Sequence, residues 1–280
     1  MTDSDLEEVT KYLSNPETSM GWISPLGIPE SVQQLAGTGY KHTIGDKNYE
    51  PDGENYTVYD LCCGNGILSE SLIQENKEKD GSNSLKIKGI DLAPPAYAHK
   101  VETGNEEFEV LQQSADDFLH AKQDSADLIY AIDAFQEFDD FETLANGITG
   151  SLKQDGILVF NSIYGLVDVF EDLEEKAPDD KNFVKLGKNG RKQIHTDKVR
   201  IDDLGVEVPI VQQPRPYEDY RSELEKQGME EVECGKLRAD TSSIPEIAKS
   251  IGVDAQTVDD ENINLLYDYG VMKMEDEVSS

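Results

Sequence analysis

Tyr56-Thr57-Val58-Tyr59-Asp60-Leu61-Cys62-Cys63-Gly64-Asn65-Gly66-Ile67-Leu68-Ser69 decides how the rest of the chain is read. It opens with β-branched and aromatic residues, as a buried strand does. It then reaches an acid, Asp60, and crosses a run of small residues from Cys62 to Gly66. Beyond that run Ile67, Leu68, Leu72 and Ile73 recur at helical spacing. Strand, glycine turn and helix in this order form the first βα unit of a nucleotide-binding sheet. Glycine at 64 and 66 admits backbone conformations that a side chain would bar and lets a ligand come close. Asp60 narrows the choice of ligand. A pyrophosphate favours a helix N-terminus without a carboxylate beside it, and Ser69 stands where a dinucleotide pattern has its third glycine. A ligand with positive charge of its own suits this turn better.

S-adenosyl-L-methionine, with an α-ammonium and a sulfonium, is such a ligand. Asp60-Leu61-Cys62-Cys63-Gly64-Asn65-Gly66 resembles the first motif of class I, Rossmann-like S-adenosylmethionine-dependent methyltransferases. Its double cysteine is similar to the form in the ubiquinone/menaquinone methyltransferase branch, with Cys62 in place of the usual first glycine. The resemblance covers residues 56–163 strongly and 213–274 loosely. It implies an α/β fold: a seven-stranded, mostly parallel sheet with helices on both faces and an antiparallel last strand. It also implies that Asp60, Leu61, Cys62, Gly64, Asn65 and Gly66 hold the methionine part of the cofactor.

Further along, Gly89-Ile90-Asp91-Leu92 ends the second strand and is similar to the family's second motif. An acid there can accept both ribose hydroxyls, so Asp91 is the expected ribose ligand and Leu92 the adenine contact. The bland role for such an acid is a helix cap. Gln113-Ser114-Ala115-Asp116-Asp117-Phe118 resembles the third motif, where an acid takes the adenine amine and a backbone amide meets the ring. Asp116 is favoured for the amine; Asp117 is held in reserve, or caps a helix over Phe118 to Ala121. Ser125 to Ile132 is a strand apolar on both faces, as parallel strands are. It ends in Asp133-Ala134-Phe135, which in the family lies beneath the sulfonium and faces the acceptor. The two prolines that help nucleic-acid amino-methyltransferases clamp a flipped base are missing here.

Composition bounds the rest. The chain has 280 residues, 58 acids against 25 bases and a formal net charge of −33. A single domain is expected: a cover segment over 1–54, a cofactor core over 55–163, an insertion over 164–212 and the end of the sheet over 213–280. The acids are spread along the whole chain, which points to a protein adapted to high salt, where repulsion is screened, in a cytoplasm. Three cysteines with no Cys-x-x-Cys spacing suggest reduced thiols and no metal. The acidic N-terminus does not read as a signal peptide, and no apolar run is long enough to span a bilayer. A soluble protein with no membrane partner is expected.

Outside the core the readings are thinner. Asp5 to Leu13 can form a short amphipathic helix, and the apolar turn around Trp22 can pack as a loop or close over substrate. Lys41-His42-Thr43 falls in a glycine-rich loop, and Pro94-Pro95 suits a helix start. The insertion turns basic between Lys181 and Arg200. That stretch is a solvated hairpin or a site for an anionic substrate; Tyr164, Arg191 and a possible base, His195, are its candidates. Residues 244–258 look like a helix-turn-helix, yet Asp254, Asp259, Asp260 and Glu261 would repel phosphates. The sequence therefore points to a methyltransferase for a small molecule. A methyltransferase-like regulatory module is the alternative; an RNA or protein methyltransferase and a nicotinamide oxidoreductase are less favoured.

Overall fold

Five strands that run the same way carry the middle of the molecule, and the central ones, over residues 56–61 and 126–131, are buried almost throughout. The computed structural model describes residues 29–46, 48–51, 55–64, 66–79, 83–92, 100–103, 106–165, 167–168, 171, 184–187, 191–201, 206–238 and 266–274. In chain order they form helix α1 (Pro29–His42), strand β1 (Tyr56–Leu61), α2 (Ile67–Lys79), β2 (Leu85–Asp91), β3 (Lys100–Thr103) and β4 (Glu106–Gln112). Then come α3 (Ala115–His120), β5 (Ala126–Ala131), a 3₁₀ turn (Phe135–Glu137), α4 (Phe141–Ser151) and β6 (Leu152–Ser162). The chain continues with β7 (Val184–Leu186), β8 (Lys192–Ile201), β9 (Val206–Gln212), α5 (Tyr217–Lys226), β10 (Met229–Arg238) and β11 (Leu266–Met274). Residues 5–13, Trp22, Asn65, Pro94-Pro95 and 244–258 lie outside the described residues.

The main sheet has the order β10-β11-β6-β5-β1-β2-β4-β3. β4, β2, β1, β5 and β6 are mutually parallel, and β11 runs against β6. The seven expected strands are present with the last antiparallel, and β3 adds an eighth by folding back on β4. From β1 the chain builds outward to β4 and then returns to β5 on the other side of β1. That reversal opens a crevice beyond the carboxyl ends of β1 and β5, where ligands bind in open α/β sheets. The insertion forms a separate three-stranded antiparallel sheet, β7-β8-β9.

Strand alternation divides the core in two. Tyr59, Leu61 and Ile129 pack toward Phe118, Leu144, Ile148, Tyr220 and Leu224 of α3, α4 and α5. Val58, Ile87, Leu128 and Val159 pack the other way, on Leu35, Tyr40, Leu72 and Ile73 of α1 and α2. α1 corrects the sequence reading. Lys41 and His42 form the last turn of a helix, and this part of the supposed cover is core. Gly39 is explained by packing. A Cβ on Gly39 would lie 2.1 Å from the Tyr130 hydroxyl, which donates to the Ala36 carbonyl at 3.2 Å.

α3 also starts earlier than expected. Its N-cap is Ser114, so Asp117 does not cap it; Asp116 and Asp117 both occupy the first turn, where a carboxylate favours the helix dipole. Leu152 to Gly156 already belongs to β6, with a left-handed kink at Asp155 (φ 68°).

Candidate active site

β1 ends by burying a carboxyl group. Asp60 is 3 % exposed, and its Oδ2 accepts from the Ser69 hydroxyl of α2 at 2.7 Å. Among the described residues no cation pairs with it. Burial pushes its carboxyl up to about 7; the Ser69 hydrogen bond works against that rise, and nearby Asp91 adds to it. A positive charge brought to this edge would return Asp60 to its ionised form.

The turn that follows is strained as the glycine pattern requires. Cys62, Gly64 and Gly66 all have positive φ (55°, 51° and 77°). For Cys62, standing at the family's glycine position, that conformation costs ~1 kcal/mol. Gly66 has a second constraint, since a Cβ there would meet the Phe108 ring at 2.7 Å. In front of Gly64 there is space: a Cβ would touch nothing within 4 Å. The Gly64 N–H donates to Asp91 Oδ2 at 2.9 Å, which ties the turn to the end of β2.

Four acids gather on this edge. Asp91 closes β2, Asp116 lies in the first turn after β4, and Asp133 follows β5, next to the β1 end that carries Asp60. Burial chiefly, then the fields of Asp91, Glu137, Asp60 and Asp116, push the Cys62 thiol far up, so these carboxylates converge on the turn and the thiol is no nucleophile. Asp116 and Asp117 are now told apart. Asp116 Oδ1 is buried with no hydrogen-bond partner among the described residues, and burial raises its carboxyl; Asp117 is exposed. Leu92 is 71 % exposed beside Asp91, while Ala115 is buried.

Asp133 is held by a residue that the sequence did not single out. Asn161 of β6, 1 % exposed, donates through Nδ2 to Asp133 Oδ1 at 2.7 Å. Its Oδ1 accepts from the Asp133 N–H, also at 2.7 Å. This clamp stabilises the left-handed backbone of Asp133 (φ 50°). An Asn within the apolar run from Ile157 to Ile163 was its one visible signal. Ala134 is buried, and the Phe135 ring, 0 % exposed, packs on Phe141, Phe160 and Tyr220. Expected beside the cofactor, the Phe135 side chain is instead part of the core beneath this edge, because the 3₁₀ turn directs it inward.

The acceptor-side candidates are more scattered. Tyr164 is half-buried just past β6, its N–H bonded to Ser162 Oγ at 3.3 Å. Arg191 is exposed at the start of β8. His195 pairs with Val211 in the small sheet. A cavity of about 300 Å³, lined by His42, Tyr49, Asp155 and Lys273 among others, lies at the opposite end of β6.

A family model described as a methyltransferase domain matches residues 52–227. No curated protein matches the sequence. Among solved structures, the N-methyltransferase NodS from Bradyrhizobium japonicum WM9, in complex with S-adenosyl-L-homocysteine, is 14 % identical with a TM-score of 0.51. The alignment covers 98 % of this chain and 100 % of NodS. A putative S-adenosylmethionine-dependent methyltransferase from Listeria monocytogenes is 15 % identical at a TM-score of 0.51, over 89 % of this chain and all of that one. The 1,6-didemethyltoxoflavin-N1-methyltransferase of Burkholderia thailandensis is 10 % identical at 0.51, over 98 % and 88 %. The acid-lined crevice at the sheet's reversal and the family match over more than half of the chain agree: this protein belongs to the class I S-adenosylmethionine-dependent methyltransferases.

Proposed function

We propose that the acceptor is a small molecule and that the four acids divide the cofactor among them. Asp60 and the backbone from Leu61 to Gly66 would hold the methionine part, Asp91 the ribose hydroxyls, and Asp116 the adenine amine. The observation that carries this reading is the Asp116 oxygen, buried and without a donor at the edge of the crevice. A buried acceptor left unmade costs about 1–3 kcal/mol, and an exocyclic amine would satisfy it. The space in front of Gly64 suits close approach of a ligand to the backbone.

When bound, the cofactor supplies an electrophilic methyl group on a sulfonium. The protein's part is alignment and the exclusion of water. Asp133, fixed by Asn161, holds the backbone at the end of β5 where acceptor and methyl would meet. The buried Phe135 cluster keeps that floor rigid. A net charge of −33 opposes a nucleic-acid acceptor, and the Burkholderia structure, solved with 1,6-didemethyltoxoflavin bound, is in keeping with a small one. The dispersed acids also favour a high-salt cytoplasm. Calorimetry with S-adenosylhomocysteine, NAD and duplex DNA tests the proposal. Binding of the first alone is expected; binding of NAD or DNA in its place overturns the assignment.

A further inference from the structure

One arginine sits where few arginines are found. Arg215 is 7 % exposed, in a chain with 58 acids, yet among the described residues it makes no ion pair. Its Nη2 donates to the Asp139 carbonyl at 3.0 Å, and its guanidinium lies 5.4 Å from the centre of the Phe141 ring. Its Nε is buried with no hydrogen-bond partner among the described residues. Its surroundings oppose the charge further: burial and the neighbouring Arg191 both pull its affinity for the proton down, while Tyr220, Asp219 and Asp140 offset only part of that. Buried charges are normally paired, and the field of a second arginine leaves this one further short of negative charge.

The segment that carries Arg215 crosses the acceptor side of the crevice. The Gln213 N–H donates to the Gln136 carbonyl at 3.2 Å, just past β5. The Ser162 hydroxyl, at the end of β6, donates to the Arg215 carbonyl at 2.7 Å. The Arg215 N–H is held in turn by the Tyr220 hydroxyl at 3.2 Å. Both flanks of the residue are therefore pinned over the carboxyl ends of the two strands beside which the acceptor must lie.

We propose that Arg215, with Arg191 beside it, receives a carboxylate of the methyl acceptor, which makes the substrate a small carboxylate-bearing molecule. This rests on the small-molecule reading above. A guanidinium presents a planar fork of N–H donors that matches a carboxylate in two parallel hydrogen bonds, and a carboxamide cannot replace that charge. The unpartnered Nε is the donor such a ligand would fill.

The test uses the full chain saturated with S-adenosylhomocysteine and titrated with sodium benzoate and, separately, benzamide. Benzoate should bind at least tenfold more tightly than benzamide. Arg215→Gln should abolish that difference with S-adenosylhomocysteine affinity changed less than twofold, and Arg215→Lys should retain part of it. Arg191→Gln, at an exposed position, should lower benzoate affinity about two- to fivefold. A wild-type protein that binds the two probes alike or binds neither overturns the proposal. So does an Arg191→Gln protein, or a folded Arg215→Gln protein, that binds benzoate like wild type. Failure of S-adenosylhomocysteine itself to bind wild type would instead sink the methyltransferase reading, so the two failures are distinct.

Discussion

Asp60 and Asp127 are almost equally buried, at 3 % and 0 %, on adjacent strands of one sheet, and the protein treats them in opposite ways. Asp127, at the amino end of β5, is satisfied on every side. It accepts from Lys153 Nζ at 2.9 and 3.0 Å, the Tyr49 hydroxyl at 2.7 Å and the Thr57 N–H at 2.7 Å. Asp60, at the carboxyl end of β1, has the hydroxyl and backbone N–H of Ser69 and, among the described residues, no cation. Full pairing suits a carboxylate that holds structure together; the deficit at the other end is what the proposed cofactor role of Asp60 would use. The deficit falls at the end where the strand order reverses about β1 and β5, which is where open α/β sheets bind their ligands.

The comparison breaks most visibly if Asp127 proves dispensable. Asp127→Ala removes the partner of Lys153, whose side chain is only 11 % exposed. Loss of one half of a buried pair costs about 3–5 kcal/mol. A urea unfolding curve should show that loss, while S-adenosylhomocysteine affinity in the folded fraction should stay within twofold of wild type. A drop below 1 kcal/mol would remove the distinction between the two ends.

Asp60 should behave in reverse. Its unfolded carboxyl ionises near 3.8 and its folded one near 7, so the folded state holds the proton more tightly. The stability cost is absent below about pH 4, grows as pH rises toward 7, and is complete above it. Asp60→Asn should therefore stabilise the protein by about 2–4 kcal/mol at pH 8 and by little at pH 4, and it should weaken S-adenosylmethionine binding. In the wild type, binding of that cationic cofactor should release protons and strengthen from pH 6 to pH 8. Calorimetry in buffers of different ionisation enthalpy measures the release directly. An Asn variant that loses stability at pH 8 would mean that Asp60 is structural, like Asp127.

How much of this was legible in the sequence follows from the range of each interaction. The strands and the edge that carries Asp60, Asp91, Asp116 and Asp133 were visible, because alternation, apolar runs and glycine turns are local signals. Partnerships across the sheet were not. Ser69 reads as a missing glycine until α2 turns its hydroxyl onto Asp60, and Asn161 gains its meaning only when β6 lies beside β5. Asp127 lies within the strand already read over Ser125 to Ile132, but nothing near it announces Lys153 or Tyr49. α1 stayed hidden because Gly37 and Gly39 resemble a loop, and β3 because Lys100-Val101-Glu102-Thr103 is too short and polar to stand out from an edge loop. The insertion's basic run suggested a hairpin, whereas the arginine that structure singles out, Arg215, lies beyond it.

Asp91 sharpens the contrast at a smaller scale, since it serves both the fold and the site. One carboxylate oxygen already holds the Gly64 N–H, so Asp91→Ala should loosen the turn and remove the ribose contact together. A loss of about 1–3 kcal/mol in S-adenosylhomocysteine affinity is expected, with a modest fall in melting temperature. Unchanged affinity would take Asp91 out of the site.

The finest discrimination lies within a single helical turn. Asp116 and Asp117 share α3's first turn, and both favour its dipole, so their effects on stability should be similar and small. Their environments differ in one respect: Asp116 has a buried oxygen with no partner, and Asp117 faces solvent. If that oxygen is kept for the adenine amine, Asp116→Ala removes a hydrogen bond worth about 1 kcal/mol, roughly a fivefold loss of S-adenosylhomocysteine affinity. Asp117→Ala should change it less than twofold. The more telling probe is the inosine analogue of S-adenosylhomocysteine, in which a carbonyl replaces the amine. It should bind wild type poorly, because two acceptors would then face each other, and Asp116→Ala should bind it no worse than wild type does. If wild type binds the two ligands equally, the adenine is held elsewhere, and the Asp116 oxygen is simply a cost that the fold bears.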